Sequence, residues 1–170
     1  MPPSRLEIFD FDWTLFRSPF PPPKESERWW DTPDSLLPPF IPHRPEDKFW
    51  INEVVQEMKD AQKRRDTITV VITGRREGTA IRVRRLLQQK RLSPDFVSFR
   101  SKDYRKDKDI INYKRKFIID VLNIYPSVKE IVLWDDLQEQ IDNMRDLAKR
   151  RKIDFAGHLI TEIENVRCGR

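Results

Sequence analysis

Apolar residues follow two alternating rhythms along this chain. Short, nearly unbroken runs occur over 6–10 (LEIFD), 67–73 (TITVVIT), 96–99 (FVSF) and 130–134 (EIVLW), with a weaker one over 153–160. Runs of this length, rich in β-branched and aromatic residues, predict strands buried on both faces. Between them the apolar positions recur three and four apart. Phe49, Trp50, Val54, Val55 and Met58 do so within 46–65, and Ile81, Val83, Leu86 and Leu87 within 78–89. Ile111, Phe117, Ile118, Val121 and Leu122 repeat the pattern within 110–124, and 137–149 carries it once more. That spacing puts one apolar stripe on each helix. Strands alternating with helices predict βαβ units, hence an α/β domain with a central parallel sheet and helices on both faces. Residues 17–45 break the rhythm. They are rich in proline, carry Trp29 and Trp30, and are too long for a plain connection. Two readings stand for this excursion: a lid or wall over a site beside the first strand, or an ordered surface element packed elsewhere.

Composition adds bounds. At 170 residues the chain is read as a single domain over 1–170, large enough to bury a core. Cys168 is the only cysteine, so no internal disulfide can form, which suits a reducing, intracellular (cytoplasmic or nuclear) setting. No apolar run nears the ~20 residues of a membrane span, and MPPSRLE lacks the apolar core of a signal peptide. The expectation is a soluble protein with no membrane partner. A net charge of +5 and a pI near 9.4 suit a phosphate-rich partner and suit a merely solvated basic surface equally well. The charge concentrates over 100–116 and 149–152.

In an open α/β sheet, ligands bind at the carboxyl ends of the strands. The first run ends in Asp10-Phe11-Asp12-Trp13-Thr14, the second in Thr73-Gly74-Arg75 and the fourth in Asp135-Asp136. Each cluster alone has an ordinary explanation: a turn, a helix cap, a strand-to-helix connection. Three in order at equivalent strand ends point to one shared site. Two acids spaced like Asp10 and Asp12 repel each other unless a positive group lies near them.

The chain resembles the haloacid dehalogenase (HAD) superfamily. Asp10-Phe11-Asp12-Trp13-Thr14 is similar to its first motif, DxDxT; Thr73 to the Thr/Ser ending the second strand; Lys114 to the lysine of the third motif; and Asp135-Asp136 to the acidic fourth motif. TLFRSPFPPP, the tryptophan pair, TGRREGTAIRVRRLL and YKRKFIIDVLNIYPSVKEIVLWDD resemble more narrowly the HAD domain of the Swiss Army knife RNA-repair proteins. Thr73-Gly74-Arg75 also resembles the phosphatase domain of polynucleotide kinase-phosphatases. The chain departs from the pattern at Trp13, where DxDGT has glycine, and at Leu137, where an arginine is expected.

The resemblance implies a Rossmann-like HAD fold without a large cap domain, and a phosphoric monoester hydrolase that uses Mg2+. Asp10 is then the nucleophile that forms an aspartyl-phosphate, and Asp12 the general acid and base. Thr73 and Lys114 bind phosphoryl oxygens. Asp10, the Asp12 carbonyl, and Asp135 or Asp136 hold the cation, with Asp135 the favoured direct ligand and Asp136 its alternate. Thr14, Gly74 and Arg75 are candidate substrate contacts, Arg75 having an ion pair with a nearby aspartate as its other reading. Lys102, Lys108 and Lys116 are rivals to Lys114 by position. His43 and His158 lack partners at metal-ligand spacing. Trp50 and Trp134 read as core, while Trp13, Trp29 and Trp30 are divided between packing and stacking on a base.

The resemblance to RNA-repair proteins, together with the basic charge and the lack of room for a large cap, makes a terminal phosphate on an RNA or DNA end the expected substrate. A nucleotide or small-molecule phosphatase, a protein phosphatase and a non-catalytic nucleic-acid-binding module are the alternatives. The sequence is silent on oligomeric state.

Overall fold

The computed structural model of the protein describes residues 1–22, 29–104 and 109–163. Five strands form one wholly parallel sheet: β1 (Arg5–Asp10), β2 (Thr67–Arg76), β3 (Phe96–Arg100), β4 (Glu130–Asp135) and β5 (Asp154–Leu159). Their order is β3-β2-β1-β4-β5, so β1 lies at the centre. Four helices connect them: α1 (Asn52–Lys63), α2 (Ala80–Gln89), α3 (Asp109–Ile124) and α4 (Gln138–Arg151). The architecture is the expected Rossmann-like one, with helices on both faces.

Alternation along β1 divides the core in two. Leu6 and Ile8 point to one face and join Ile118, Val121 and Leu122 of α3 with Ile141, Met144 and Leu147 of α4. Phe9 points to the other face and joins Val54, Val55 and Met58 of α1 with Val83, Leu86 and Leu87 of α2. Glu7 shares that second face. It is 1% exposed, yet it is matched by the guanidinium groups of Arg5 and Arg64 and by the Trp134 indole N–H. A buried carboxylate is tolerated because three donors replace its water.

Three local expectations change. The helix expected from 46 starts at Asn52, after a short 3-10 turn at Asp47–Phe49 that swings Trp50 into the core. Thr73-Gly74-Arg75 is strand rather than turn, since β2 runs on to Arg76 through an irregularity opposite β3. On α2 the apolar reading of Ile81 fails: Ile81 is 80% exposed, and Arg82 takes the inward place at 6%. Arg82 donates to the carbonyls of Leu36, Pro42 and His43, so it ties the 17–45 excursion to the helix. No helix among the described residues is long and apolar enough to cross a membrane. Lys108, Cys168 and residues 23–28 of the excursion lie outside the described residues.

Candidate active site

With the order β3-β2-β1-β4-β5, the chain leaves β1 toward one edge of the sheet and returns at β4 toward the other. The two strands stay paired up to Phe9 and Trp134, the helices that follow them, α1 and α4, pack on opposite faces of the sheet, and the carboxyl ends of the strands flank a crevice. Asp10 is the last residue of β1 and Asp135 the last of β4. A cavity of about 260 Å3 opens at this point. Asp10, Asp12, Trp13, Trp30, Arg75, Lys114 and Asp136 are among the residues that line it.

The two acids of the first motif reach the cavity by different means. β1 delivers Asp10 and ends there, and a tight loop then returns Asp12. In that loop the Leu15 and Phe16 amides donate to the Phe11 carbonyl, and the Trp13 amide to that of Phe16. The turn requires a left-handed residue at position 13, and Trp13 takes it with φ 58°. This is the position where DxDGT has glycine, the residue that adopts such a φ without steric cost. Here the indole is held by burial and by stacking on Phe20, ring centres 5.2 Å apart.

Each acid has its own cation. Lys114, on α3, donates from Nζ to Asp10 at 2.7 Å and to Asp135 at 2.8 Å. All three are 5% exposed or less. Burial disfavours the ammonium, but Asp10 and Asp135 outweigh it and hold Lys114 above its ordinary value, so it stays charged. Asp10 is held well above the ordinary carboxylate range, by burial first and then by Asp135, Asp136 and Asp12, against the pull of Lys114. Asp136 is pushed up to about 7 by burial and by Asp135. Asp12 rests on Arg75, whose Nε and Nη2 approach its carboxylate at 2.9 and 2.8 Å. The hydroxyls of Ser18 and Thr73 also donate to Asp12.

Asp10, Asp135 and Asp136 each offer an oxygen, and these lie within 4.8 Å of one another. An oxygen-only set of crowded carboxylates, two of them driven toward the neutral form by burial and then by neighbouring acids, suits a hard divalent cation such as Mg2+. Asp135 has both oxygens engaged, one by Lys114 and one by the Leu137 amide, whereas Asp136 faces the cavity.

Asp10, Asp12, Thr73, Lys114, Asp135 and Asp136 therefore converge. Thr14 is fully buried, with its hydroxyl 3.4 Å from Asp10. Gly74 and Arg75 line the cavity, but the Arg75 guanidinium is turned onto Asp12, the Trp30 carbonyl and the Ser35 hydroxyl. Lys102 is exposed, and so is Lys116, which pairs with Asp120. His43 is exposed, and His158 stacks on Trp134 with ring centres 3.9 Å apart.

The 17–45 excursion forms a wall beside this crevice. Asp31 pairs with Arg76 and Arg100, and Arg100 also donates to the Gly74 carbonyl. The sequence marks Trp30 as a residue for packing or for stacking on a base, but it does not mark Ser18, Asp31 or Arg100 as site residues. Arg100 ends β3 and was open to the same strand-end rule; Asp31 had no signal, its partners being far away in the chain.

The chain is similar to the uncharacterized protein YMR265C of Saccharomyces cerevisiae, 27% identical over 164 residues covering 82% of this chain. It spans 36% of that protein's length. Among solved structures it is similar to a chain in the structure of the Pnkp1/Rnl/Hen1 complex, with TM-score 0.56 and 17% identity over 92% of this chain and 47% of that one. A second, the Pnkp1/Rnl/Hen1 RNA repair complex, gives TM-score 0.56 and 16% identity over 93% and 43%. At such identities the likeness is one of fold. Residues 22–167, a span that begins after the first motif and takes in Thr73, Lys114, Asp135 and Asp136, match the HAD domain family 1 in Swiss Army Knife RNA repair proteins, and the chain belongs to that family.

Proposed function

We propose that this domain is a Mg2+-dependent phosphohydrolase that removes a terminal phosphate from a nucleic-acid end through an aspartyl-phosphate. The observation that carries the reading is the meeting of Asp10, Asp135 and Asp136 within 4.8 Å at the adjacent carboxyl ends of β1 and β4, with Asp12 lining the same cavity. Family membership and the fold shared with chains of RNA repair complexes support the nucleic-acid end.

Asp10 attacks phosphorus. The new bond to its carboxylate oxygen forms as the bond to the ester oxygen breaks, and the leaving sugar oxygen takes a proton from Asp12. Water then attacks the same phosphorus, gives its proton to Asp12, and releases phosphate and the Asp10 carboxylate. Lys114 keeps Asp10 in line and puts a positive charge beside the transferring group. Arg75, Ser18 and Thr73 orient Asp12; Thr73 is fully buried, so it acts here as a positioning residue. Asp10, Asp136 and the Asp12 carbonyl would hold Mg2+, with Asp135 steadying Lys114. The bound cation offsets the negative charge that otherwise keeps a carboxylate and a phosphate apart.

The test is phosphate release with Mg2+ from 3′- and 5′-phosphorylated RNA and DNA oligonucleotides, mononucleotides, phosphopeptides and an aryl phosphate. Asp10→Asn should lower kcat by about three orders of magnitude or more, as loss of a catalytic nucleophile does. Full activity in that variant would overturn the mechanism. A mononucleotide or phosphopeptide as the best substrate would overturn the choice of nucleic acid.

A further inference from the structure

One aromatic side chain at the cavity has no part in the chemistry. Trp29 and Trp30 are neighbours, yet the fold separates their roles. Trp29 is 5% exposed and packs edge-on against Phe40, ring centres 4.7 Å apart. Trp30 is partly exposed and lines the cavity with Asp10, Asp12 and Arg75.

Trp30 is also fixed from several sides. Arg75 donates to its carbonyl at 2.8 Å and to Ser35 at 2.7 Å, and the guanidinium lies 5.5 Å from the indole centre. The next residue, Asp31, is held by Arg76 and Arg100. The indole is thus a preorganised surface, which lowers the ordering cost of binding against it.

The remaining lining narrows the ligand. Arg75 is engaged with Asp12, Arg100 with Asp31, and Lys114 with Asp10 and Asp135. Among the described residues that line the cavity, cations matched to acids of the protein form no track for a long phosphodiester backbone. Trp30 instead makes an apolar wall with Ile110 and Leu137. The cavity, about 260 Å3, falls just below the ~300 Å3 at which small-molecule pockets begin, so it is too small for more than a terminal residue.

We propose that Trp30 is the stacking platform for the base of the terminal, unpaired nucleotide that carries the phosphate. This rests on the nucleic-acid-end reading above. Trp30 is then the residue that makes the enzyme prefer a phosphate with an adjacent free base. Stacking uses the π-face that every base has, so the preference is for a base over none rather than for one base over another. A base paired in a duplex is held in its own stack and does not reach the wall.

The experiment uses single-stranded phosphorylated oligonucleotides whose terminal residue bears a base or is abasic, with Mg2+. The readout is the ratio of kcat/KM for the two substrates, taken within each variant so that any general loss of folded protein cancels. The wild type should favour the base-bearing end about ten-fold or more, mainly through KM, the scale of one base–aromatic stack. Trp30→Ala should bring the ratio toward one, and Trp30→Phe, which keeps a ring there, should restore most of it. A wild-type ratio near one, or a ratio that Trp30→Ala preserves, overturns the role of Trp30 and leaves the nucleic-acid-end activity standing. Phosphate release from aryl phosphate or phosphopeptide but from no oligonucleotide end overturns both.

Discussion

Trp13 shows how a single residue can run against a backbone preference and remain in place. Its φ of 58° costs a bulky L-residue about 1–2 kcal/mol, a cost glycine would not bear. Against this stands the burial of a 7% exposed indole, worth roughly 3–5 kcal/mol when a large aromatic is removed from a core. Burial wins. Trp13→Gly should therefore destabilise the domain by about 2 kcal/mol in urea titration, although it restores the glycine of the DxDGT pattern; a stabilised variant would show that backbone strain dominates. Asp10 and Asp12 were legible at this scale because two acids at a strand end require cations. The family resemblance points to Lys114, and an ion pair with a nearby aspartate is one of two readings of Arg75, but which acid each cation meets is not legible locally. Lys114 lies 104 residues beyond Asp10 and Arg75 lies 63 beyond Asp12 in the chain, and no local pattern joins such positions.

At the scale of elements the hydrophobic rhythm located each described strand and α-helix, α1 starting later than expected at Asn52 and the others lying within a few residues, because burial on two sheet faces imposes the periods of 2 and 3.6 directly. It failed where polar groups did the packing. Arg82 displaces Ile81 from the inward face of α2 because three carbonyls of the excursion need donors there. β5, expected over 153–160, is found at Asp154–Leu159. It is the weakest apolar run and an edge strand, and Gly157 lets α4 approach it. A Cβ at Gly157 would meet the Ile141 Cγ2 at 2.6 Å and the Phe155 ring at 3.0 Å. Gly157→Ala should cost about 1–3 kcal/mol, as overpacking does, measured by thermal or urea unfolding. A neutral outcome would show that α4 is free to shift.

Across the whole molecule, charge is distributed against the simplest reading of a net +5. The basic run at 149–152 lies at the end of α4 opposite the cavity, where Arg150 pairs with Asp146 and Arg151 meets Asn123. Such groups complement the helix C-terminus. The acids instead gather at the crevice, which links stability to pH and to the cation. Asp10 and Asp136 are held above the ordinary 3.8, Asp136 to about 7. A carboxyl raised on folding favours the folded state when protonated, so its contribution is complete below 3.8 and is lost as pH rises through about 7. In EDTA the thermal midpoint should therefore fall between about pH 5 and about pH 8, and Mg2+ should offset that fall because it binds the ionised acids of the folded state. A midpoint insensitive to Mg2+ at about pH 8 would count against the carboxylates as its ligands.

The sequence by itself determined the α/β class, the parallel sheet and the three strand ends that bear polar clusters. These follow from local periodicity and from the rule that strand ends in such sheets face the ligand. Lys114 is chosen over its rivals by the family resemblance, but only the tertiary structure decided that it bridges Asp10 and Asp135, that β1 and β4 flank the crevice, that Arg75 turns onto Asp12, and that Trp30 and not Trp29 faces the cavity. The physical reason is range. Hydrophobic period acts between neighbours in sequence, whereas ion pairing and cavity walls act between groups made neighbours by folding, and the excursion joins the site through arginines that no local pattern marks as buried.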